Sequence, residues 1–449
     1  MSTKDKRHFG LSGQAKDELI KKILSRKGNA AETPAVKPIA PAKPASGEIP
    51  EEFTRFDRFP NYEKLLVPKL AAKRFNLDDP FFKVHDGVAS NTTTIGGRQY
   101  INFSSYNYLG LCGHPRVNKA AKEALDRWGT SVSASRLVSG ERAIQRELET
   151  ALADLYGVDD CIAFVSGHAT NVTTIGYLFG PKDLILHDAL IHNSVMQGIQ
   201  LSGAHRRSFP HNDWKKLDEI LKEIRGQYER VLICIEGLYS MDGDYPDLPR
   251  FIEIKRKHKA FLMVDEAHSL GVMGRFGAGI AEHFHVDGKE VDIWMGTLSK
   301  ALASCGGYIA GEKALVEHLK YAAPGFLYSV GIAPPLAAAA LEALRIMQAE
   351  PERVERLREH SQLFYRLARQ NKIDTGTSKG LSVIPAITKN SLRAVKLAGA
   401  LFKRGINVQP IIYPAVEEKA ARLRFFISSS HTEEQIQYAI NAMAEEIQP

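Results

Sequence analysis

Short apolar runs recur along the middle of the chain, and segments with helical periodicity separate them. Six such runs predict strands, at 161–165, 184–186, 231–235, 261–264, 291–295 and 308–310. Short runs that are apolar throughout are typical of strands covered on both faces. The alternation of strands and helices therefore predicts an α/β fold with a mostly parallel central sheet.

The segments on either side of this core have other patterns. Residues 82–103 alternate between polar and apolar and contain glycine turns, which predicts a small antiparallel sheet, while 51–79 are helical and aromatic in pattern. From about Pro335 a long Ala/Leu helix begins, and a strand at 422–428 and a last helix after Thr432 follow. We therefore predict four parts: a tail at 1–50, an N-terminal segment at 51–105, a large domain at 106–334 and a smaller α+β domain at 335–449.

The N-terminal tail has a helix of its own in this interpretation. Residues 12–27 carry a short apolar stripe and end at Gly28, and a proline-rich stretch up to Pro50 predicts an extended linker. A tethered helix of this kind is either a docking element for a partner or a frayed tail.

Composition and charge narrow the class of protein. The 449 residues are 44% hydrophobic and 25% charged, as in an ordinary globular protein. Residues 1–50 contribute +5 of the net charge of +7, so the basic character does not indicate nucleic-acid binding by the folded body. The chain shows neither a signal peptide nor an apolar run of about 20 residues, so a cytoplasmic protein is expected. The four cysteines lie far apart without a CxxC pair, and the histidines show no ligand-type spacing such as HExxH, so we predict neither a disulfide framework nor a metal site.

Candidate chemistry lies where two predicted strands end. The run 261–264 leads into Asp265 and His268, and the run 291–295 leads into Thr297 and Lys300. Because the carboxyl ends of parallel strands border the ligand crevice in such sheets, these side chains are expected to converge. A lysine able to form a Schiff base and an acid able to pair with a ring nitrogen suit pyridoxal phosphate. Taken alone, Lys300 could equally be a surface lysine.

Several motifs in series strengthen the first interpretation. They are SSYNYLGL at 104–111, DALIHNSV at 188–195, EGLYSMDGD at 236–244, MVDEAHSLGV at 263–272, GTLSKALASCGG at 296–307 and ARLRFFIS at 421–428. In this succession the chain resembles the α-oxoamine synthase family over roughly residues 80–440. That family includes serine palmitoyltransferase, 5-aminolevulinate synthase and 8-amino-7-oxononanoate synthase. The resemblance implies the fold of type I pyridoxal phosphate-dependent transferases, with the cofactor in the large domain.

The resemblance also implies roles for particular residues. Lys300 matches the lysine that holds the cofactor and then serves as general base at the amino acid Cα. Asp265 matches the partner of the pyridine nitrogen, and His268 matches the residue that binds the phenolic oxygen of the ring. His192 matches the histidine that stacks on the ring.

Other matching positions concern the phosphate and the substrates. The resemblance places Ser166, Gly167, His168, Ser240, Thr297 and Ser299 around the cofactor, although relatives usually carry Phe or Tyr where this chain has His168. Arg424 matches the arginine that clamps the amino acid carboxylate, with Arg422 as the alternative. Tyr106 and Asn107 match a loop that reaches the active site of the partner subunit, which implies a homodimer. Ser133 and Ser135 are small enough to leave room for a small amino acid.

The implied activity is an acyltransferase reaction. Serine, glycine or alanine would condense with an acyl thioester and lose carbon dioxide, and the form YNYLG favours a serine palmitoyltransferase-like enzyme. The acyl donor is either a CoA thioester or an acyl carrier protein, and the basic tail would attract an acidic carrier. Three alternatives stay open: an aminotransferase of the same fold, an acetyl-CoA-using glycine C-acetyltransferase, and a non-catalytic subunit. The presence of Lys300, Asp265 and His192 argues against the last.

Overall fold

The computed structural model describes residues 49–62, 66 and 79–447. The chain divides into two units, Met1–Asp79 and Pro80–Pro449. In the first unit, the described part contains the 3-10 helices Glu51–Thr54 and Phe56–Arg58. The predicted tail helix and linker, and most of the helical segment predicted at 51–79, lie outside the described residues. The four-part division of the chain stays a prediction.

The described part of the second unit alternates strands and helices. Its strands are Thr92–Ile95 (β1), Arg98–Asn102 (β2), Asp160–Phe164 (β3), Leu184–Asp188 (β4), His205–Phe209 (β5), Val231–Glu236 (β6), Phe261–Asp265 (β7), Ile293–Thr297 (β8), Gly307–Gly311 (β9), Val383–Ile387 (β10), Ile406–Asn407 (β11), Gln409–Ile411 (β12) and Arg422–Phe426 (β13). Its α-helices are Pro115–Trp128 (α1), Ala143–Tyr156 (α2), Gly167–Leu178 (α3), Asn193–Ser202 (α4), Trp214–Ile224 (α5), Leu248–His258 (α6), Ile280–Phe284 (α7), Lys313–Ala322 (α8), Pro324–Leu327 (α9), Pro334–Ala349 (α10), Glu352–Gln370 (α11), Ser391–Lys403 (α12) and Glu433–Ile447 (α13). None of the helices in the described ranges has the length and apolar character required to cross a membrane.

A seven-stranded sheet forms the centre of the second unit, in the order β3-β9-β8-β7-β6-β4-β5. β9 is antiparallel to both of its neighbours, and all other neighbouring pairs are parallel. Every residue of β4, β6, β8 and β9 is buried, and two separate hydrophobic clusters contain the residues of alternate faces. The predicted α/β fold with a mostly parallel sheet is confirmed.

The edge strand β5 was not predicted, because its sequence lacks an apolar run. His205, Arg206, Arg207 and Ser208 are exposed and only Phe209 is buried. The strand pairs with β4 alone, as an edge strand does. Polar side chains on such an edge discourage pairing with other chains.

Two three-stranded sheets, β1-β2-β11 and β10-β13-β12, accompany the central one. The predicted antiparallel pairing at 82–103 is confirmed for the β1–β2 hairpin, which turns at Gly96 and Gly97. Residues 82–91 contribute only the isolated bridge between Asp86 and Thr94. The predicted helix near Pro335 and the strand beginning at 422 are present as α10 and β13.

A buried ion pair joins the chain around α2 to the central sheet. The side chain of Arg136 is only 1% exposed, and its guanidinium contacts Glu149 and donates to both carboxylate oxygens of Glu141 at 2.7 and 2.8 Å. Glu149 also accepts a hydrogen bond of 2.8 Å from the N–H of Ala163 in β3. A buried charge that loses its partner is strongly destabilising.

We therefore expect Arg136→Met to lower the free energy of unfolding by about 3–5 kcal/mol, because buried Glu149 would lose the guanidinium that contacts it most closely and keep only Arg146, at 3.5 Å. Denaturation in urea measures the change. Arg250→Met is the control, since the pair between Arg250 and Glu253 lies on the surface and should cost about 1 kcal/mol or less. Equal losses in the two variants would contradict the prediction.

Candidate active site

Five of the predicted site residues meet at the carboxyl edge of the central sheet. Asp265 is the last residue of β7 and Thr297 the last of β8, so His268 and Lys300 follow neighbouring strand ends. His192 follows β4 and is the N-cap residue of α4. Lys300, His192 and His268 affect one another electrostatically, and Asp265 acts on the first two. The sequence expectation that these residues converge is met.

Lys300 carries the most perturbed amine of this crevice. Burial, with the cation of Arg424 acting in the same direction and the carboxylate of Asp265 against them, lowers the pKa of Lys300 to about 8. Its Nζ lies 5.7 Å from the ring centroid of Tyr106. An amine with such a pKa is partly neutral near neutral pH and can act as a nucleophile or a base.

Asp265 is held in a fixed orientation by hydrogen bonds to both carboxylate oxygens. Oδ2 accepts from the side-chain amide of Asn171 at 2.9 Å, and Oδ1 accepts from the N–H of Ala267 at 3.0 Å. Asn171 also donates to Ser194 at 2.9 Å, which connects α3 to α4 beside the aspartate. Two donated hydrogen bonds favour the charged form of a carboxylate.

His268 is buried and bound to a buried tyrosine. Its Nδ1 lies 2.7 Å from the hydroxyl oxygen of Tyr108, so this contact fixes the plane of the imidazole. Burial, with the cations of Lys300 and Arg424, holds the pKa of His268 well below its usual value. The ring is therefore neutral at physiological pH and keeps one N–H to donate.

His192 is fixed by its own helix. Its Nδ1 accepts from the N–H of Ser194 at 3.3 Å and lies 2.7 Å from the hydroxyl of the same residue. Burial lowers the pKa of His192, with Lys300 acting in the same direction and Asp265 against it. A neutral, flat ring in this position can cover a planar ligand without adding charge.

The start of α3 forms a cradle for an anion. Ser166 caps the helix by accepting from the N–H of Ala169 at 3.4 Å. A Cβ at Gly167 would lie 2.9 Å from Thr297 Oγ1, so a glycine is needed where the helix approaches β8. Thr297 in turn donates to Gly306 O at 3.0 Å and lies 3.2 Å from Ser299 Oγ. N–H groups at a helix start beside hydroxyls suit a phosphate.

Two arginines of β13 behave differently. The guanidinium of Arg422 donates to Asp242 at 2.6 Å and to Met241 O at 2.8 Å, and is thus committed to structural bonds. Arg424 donates to Ser240 O at 3.1 Å and stacks over Phe426 at 4.7 Å, while its buried Nε has no partner among the described residues. Of the two, Arg424 is the one with a buried donor, Nε, that lacks a partner among the described residues and could bind a carboxylate.

Comparison with known proteins agrees with this arrangement. The family model for aminotransferase class I and II matches residues 98–443. The 8-amino-7-oxononanoate synthase of Fervidobacterium nodosum is 40% identical over 350 residues, which cover 77% of this chain and 88% of that protein. The protein belongs to the α-oxoamine synthase family.

Comparison with solved structures agrees with the assignment of this chain to the α-oxoamine synthase family. The serine palmitoyltransferase of S. paucimobilis, solved with bound PLP and myriocin, matches with a TM-score of 0.83 and 28% identity over 86% of this chain and 97% of that one. The 8-amino-7-oxononanoate synthase of Francisella tularensis has a TM-score of 0.67 and 26% identity over 78% of this chain and 98% of that one. The synthase therefore has the type I fold, is an acyltransferase, and takes pyridoxal phosphate as its cofactor.

The site residues also fit pyridoxal phosphate by their own geometry, without reference to the relatives. The helix cradle at Ser166 and Gly167 offers N–H groups for a phosphate, and Asp265 offers a fixed carboxylate for a ring nitrogen. Lys300 offers an amine with a lowered pKa, and the orphaned Nε of Arg424 offers a donor for a substrate carboxylate.

Tyr106 and Asn107, which were predicted to reach the active site of a partner subunit, make contacts within their own chain. Tyr106 packs edge-on against His268 at 6.2 Å of the same chain, beside Lys300. The amide of Asn107 donates to Ala89 O at 2.8 Å and accepts from the N–H of Cys112 at 3.1 Å, so backbone of its own chain satisfies it.

The remaining predicted positions are Ser240, Ser133, Ser135 and His168. Ser240 lies beside Arg424. Ser133 and Ser135 lie in a loop that bonds to itself and, through Ala134, to Gly331. Among the described contacts, none joins either serine to Lys300. His168 is exposed at the start of α3. The roles of all four, and those of Tyr106 and Asn107, stay predictions.

Two residues that the sequence did not predict, Asn171 and Tyr108, hold Asp265 and His268. A signal was available for Asn171, because it lies one helical turn after Gly167 and so on the same helix face. Tyr108 lies inside a quoted motif, but an alternating aromatic pattern does not say which ring turns inward.

His211 joins two loops at the same sheet edge. Its ring nitrogens lie 2.9 Å from Asp188 and 3.0 Å from Asp244, and Asp188 also accepts from the N–H of Leu190 at 2.8 Å. The two carboxylates outweigh burial and raise the pKa of His211 to about 10. The imidazolium thus holds the loop before His192 against the loop that contacts Arg424.

This clamp should make stability depend on pH. Because the folded pKa is raised from 6.5 to about 10, its stabilisation is fully present below about pH 6.5 and is lost as the pH rises through 10. The difference in unfolding free energy between wild type and His211→Gln should therefore be largest near about pH 6 and shrink towards pH 10.

Denaturation in urea at a series of pH values measures this difference. His205→Gln is the control, since the described residues form no ion pair with this exposed histidine. A difference for His211→Gln that stays constant with pH would refute the clamp.

Proposed function

We propose that the synthase condenses L-alanine with an acyl thioester, releasing carbon dioxide and the free thiol and leaving an α-amino ketone. The observation that carries this is the crevice itself, where the partly neutral amine of Lys300 faces the fixed carboxylate of Asp265 and the free donor of Arg424. We assign Lys300, Asp265, His192 and His268 to the cofactor, and Arg424 to the amino acid carboxylate.

Each residue has a separate task in this proposal. Pyridoxal phosphate supplies an electron sink for the negative charge that develops at Cα. The neutral fraction of Lys300 accepts the α proton and returns a proton after carbon dioxide leaves. Asp265 keeps the ring nitrogen protonated, His268 donates to the phenolic oxygen, and the ring of His192 excludes water from one face.

Arg424 sets which bond at Cα reacts. By clamping the carboxylate it holds the amino acid in one orientation relative to Lys300, and the thioester carbonyl can then approach Cα. Holding both substrates in one crevice removes part of the entropic barrier, which in favourable models reaches about 7–11 kcal/mol.

The names of the relatives support alanine over serine. In 8-amino-7-oxononanoate the carbon that bears the amino group carries a methyl group, as alanine would provide, and the other seven carbons match a seven-carbon dicarboxylic acyl group. The 8-amino-7-oxononanoate synthases matched by sequence are 35–40% identical to this chain, whereas among the solved structures serine palmitoyltransferase matches at 28% and the Francisella tularensis synthase at 26%. We therefore place serine with a palmitoyl donor second.

Thiol release tests the proposal. Alanine, serine and glycine are each combined with seven-carbon dicarboxylic, palmitoyl and acetyl thioesters, on CoA and on carrier protein. We expect thiol and carbon dioxide only when both substrates are present, with the highest kcat/KM for alanine and the dicarboxylic donor. Lys300→Ala should lower kcat by about 10²–10⁴-fold because the base is lost. Amino-group exchange without thiol release would instead identify an aminotransferase.

The two arginines offer a matched pair for the substrate clamp. Arg424→Lys should raise the KM for the amino acid by about 10–100-fold, because a lysine cannot form the forked bond to a carboxylate. Arg422→Lys, two residues away on the same strand face, should leave that KM within about threefold. Steady-state kinetics measures both, and the reverse order would assign the clamp to Arg422.

A further inference from the structure

A second acid lies beside Asp265 at the sheet edge. Glu236 ends β6 and is the register partner of Asp265 on the parallel strand β7. Partnered residues of parallel strands project from the same face of a sheet. Two positions earlier on each strand, Cys234 and Met263 both lie in one hydrophobic cluster, which confirms the shared face. The two carboxyl groups therefore lie side by side.

Glu236 is 3% exposed, and only one of its two carboxyl oxygens has a hydrogen-bond partner among the described residues. Its Oε2 accepts a hydrogen bond from the N–H of Ser240 at 3.3 Å. Its Oε1 is buried and has no hydrogen-bond partner among the described residues. The carbonyl oxygen of Ser240 accepts from Arg424 at 3.1 Å, so one residue connects Glu236 to the arginine.

The charge state of Glu236 follows from its surroundings. Burial, and then the neighbouring carboxylate of Asp265, raises the pKa of Glu236 well above its usual value. Two adjacent buried carboxyl groups cannot both ionise cheaply, and Asp265 is the one with two donated hydrogen bonds. Glu236 is then a neutral acid whose O–H group has no acceptor in the described protein.

We propose that Glu236 is a further residue of the cofactor pocket. It holds Ser240 beneath Arg424 through Oε2, and its Oε1–H donates to an oxygen atom of the molecule bound in the crevice. The inference rests on the proposed role of Lys300. It predicts that Glu236 contributes hydrogen bonds to the site and no charge.

Three variants separate these contributions. Glu236→Gln keeps the size, the neutrality and a donor, and Glu236→Met keeps the size but removes all hydrogen bonding. Glu266→Gln is the matched control, because Glu266 is also a buried acid at a strand end, yet it accepts from Ile280 N at 3.0 Å in the other core cluster. Each protein is loaded with pyridoxal phosphate.

The first measurement is the pH midpoint of the visible absorbance of each loaded protein without substrate. Glu236→Gln should leave the midpoint within about 0.3 unit of wild type, whereas loss of an ionised neighbour of Lys300 would lower it by about one unit or more. An infrared difference spectrum between wild type and this variant should show loss of a protonated carboxyl band. A shifted midpoint, or no such band, overturns the proposal.

The second measurement is the KM for the amino acid. We expect an increase of at least about tenfold in Glu236→Met, a change below about threefold in Glu236→Gln, and none in Glu266→Gln. An unchanged KM in a folded Glu236→Met overturns the proposal; if that variant does not fold, the spectra of Glu236→Gln decide. Failure of the proposed function is distinct, since the wild type would then release no thiol, whereas the pH midpoints and infrared spectra need no substrate and would still report on Glu236.

Discussion

The balance of charge in a buried crevice is the constraint on which the rest of this site depends. Burial lowers the pKa of Lys300, the amine proposed as nucleophile and base. Asn171 and Ala267 donate to the two oxygens of Asp265 and hold its carboxyl group in place. Burial also lowers the pKa values of His192 and His268, so neither ring adds a positive charge to those of Lys300 and Arg424.

The residues of the site come from two sheets. The central sheet ends its strands at one edge and there presents Asp265 and the segment that carries Lys300. The small sheet contributes Arg424 from β13, and the loop after β6 connects the two through Ser240 and Met241. The residues proposed for substrate and cofactor thus come from separate elements that share one loop, which follows Glu236 and which His211 contacts through Asp244.

Much of the site could be predicted from the sequence, because motifs there carry reactive residues at strand ends. The mostly parallel sheet and the placement of Asp265, His268 and Lys300 after strand ends followed from apolar runs and from what succeeds each run. The choice between Arg422 and Arg424 could not be made in this way, since two residues on one strand face have the same pattern. Their partners favour Arg424, because Arg422 is bound to Asp242, which lies 180 residues earlier in the chain.

The sequence by itself determined the fold class, the family and the identity of the reactive side chains, because these depend on local periodicity and on short motifs. Only the tertiary structure decided which groups hold them. Tyr108 against His268, Asn171 against Asp265 and Glu236 beside Asp265 are all contacts between distant segments. Charge states belong to the same category: the pKa of a lysine, histidine or glutamate changes with burial and with neighbours that sequence spacing does not specify.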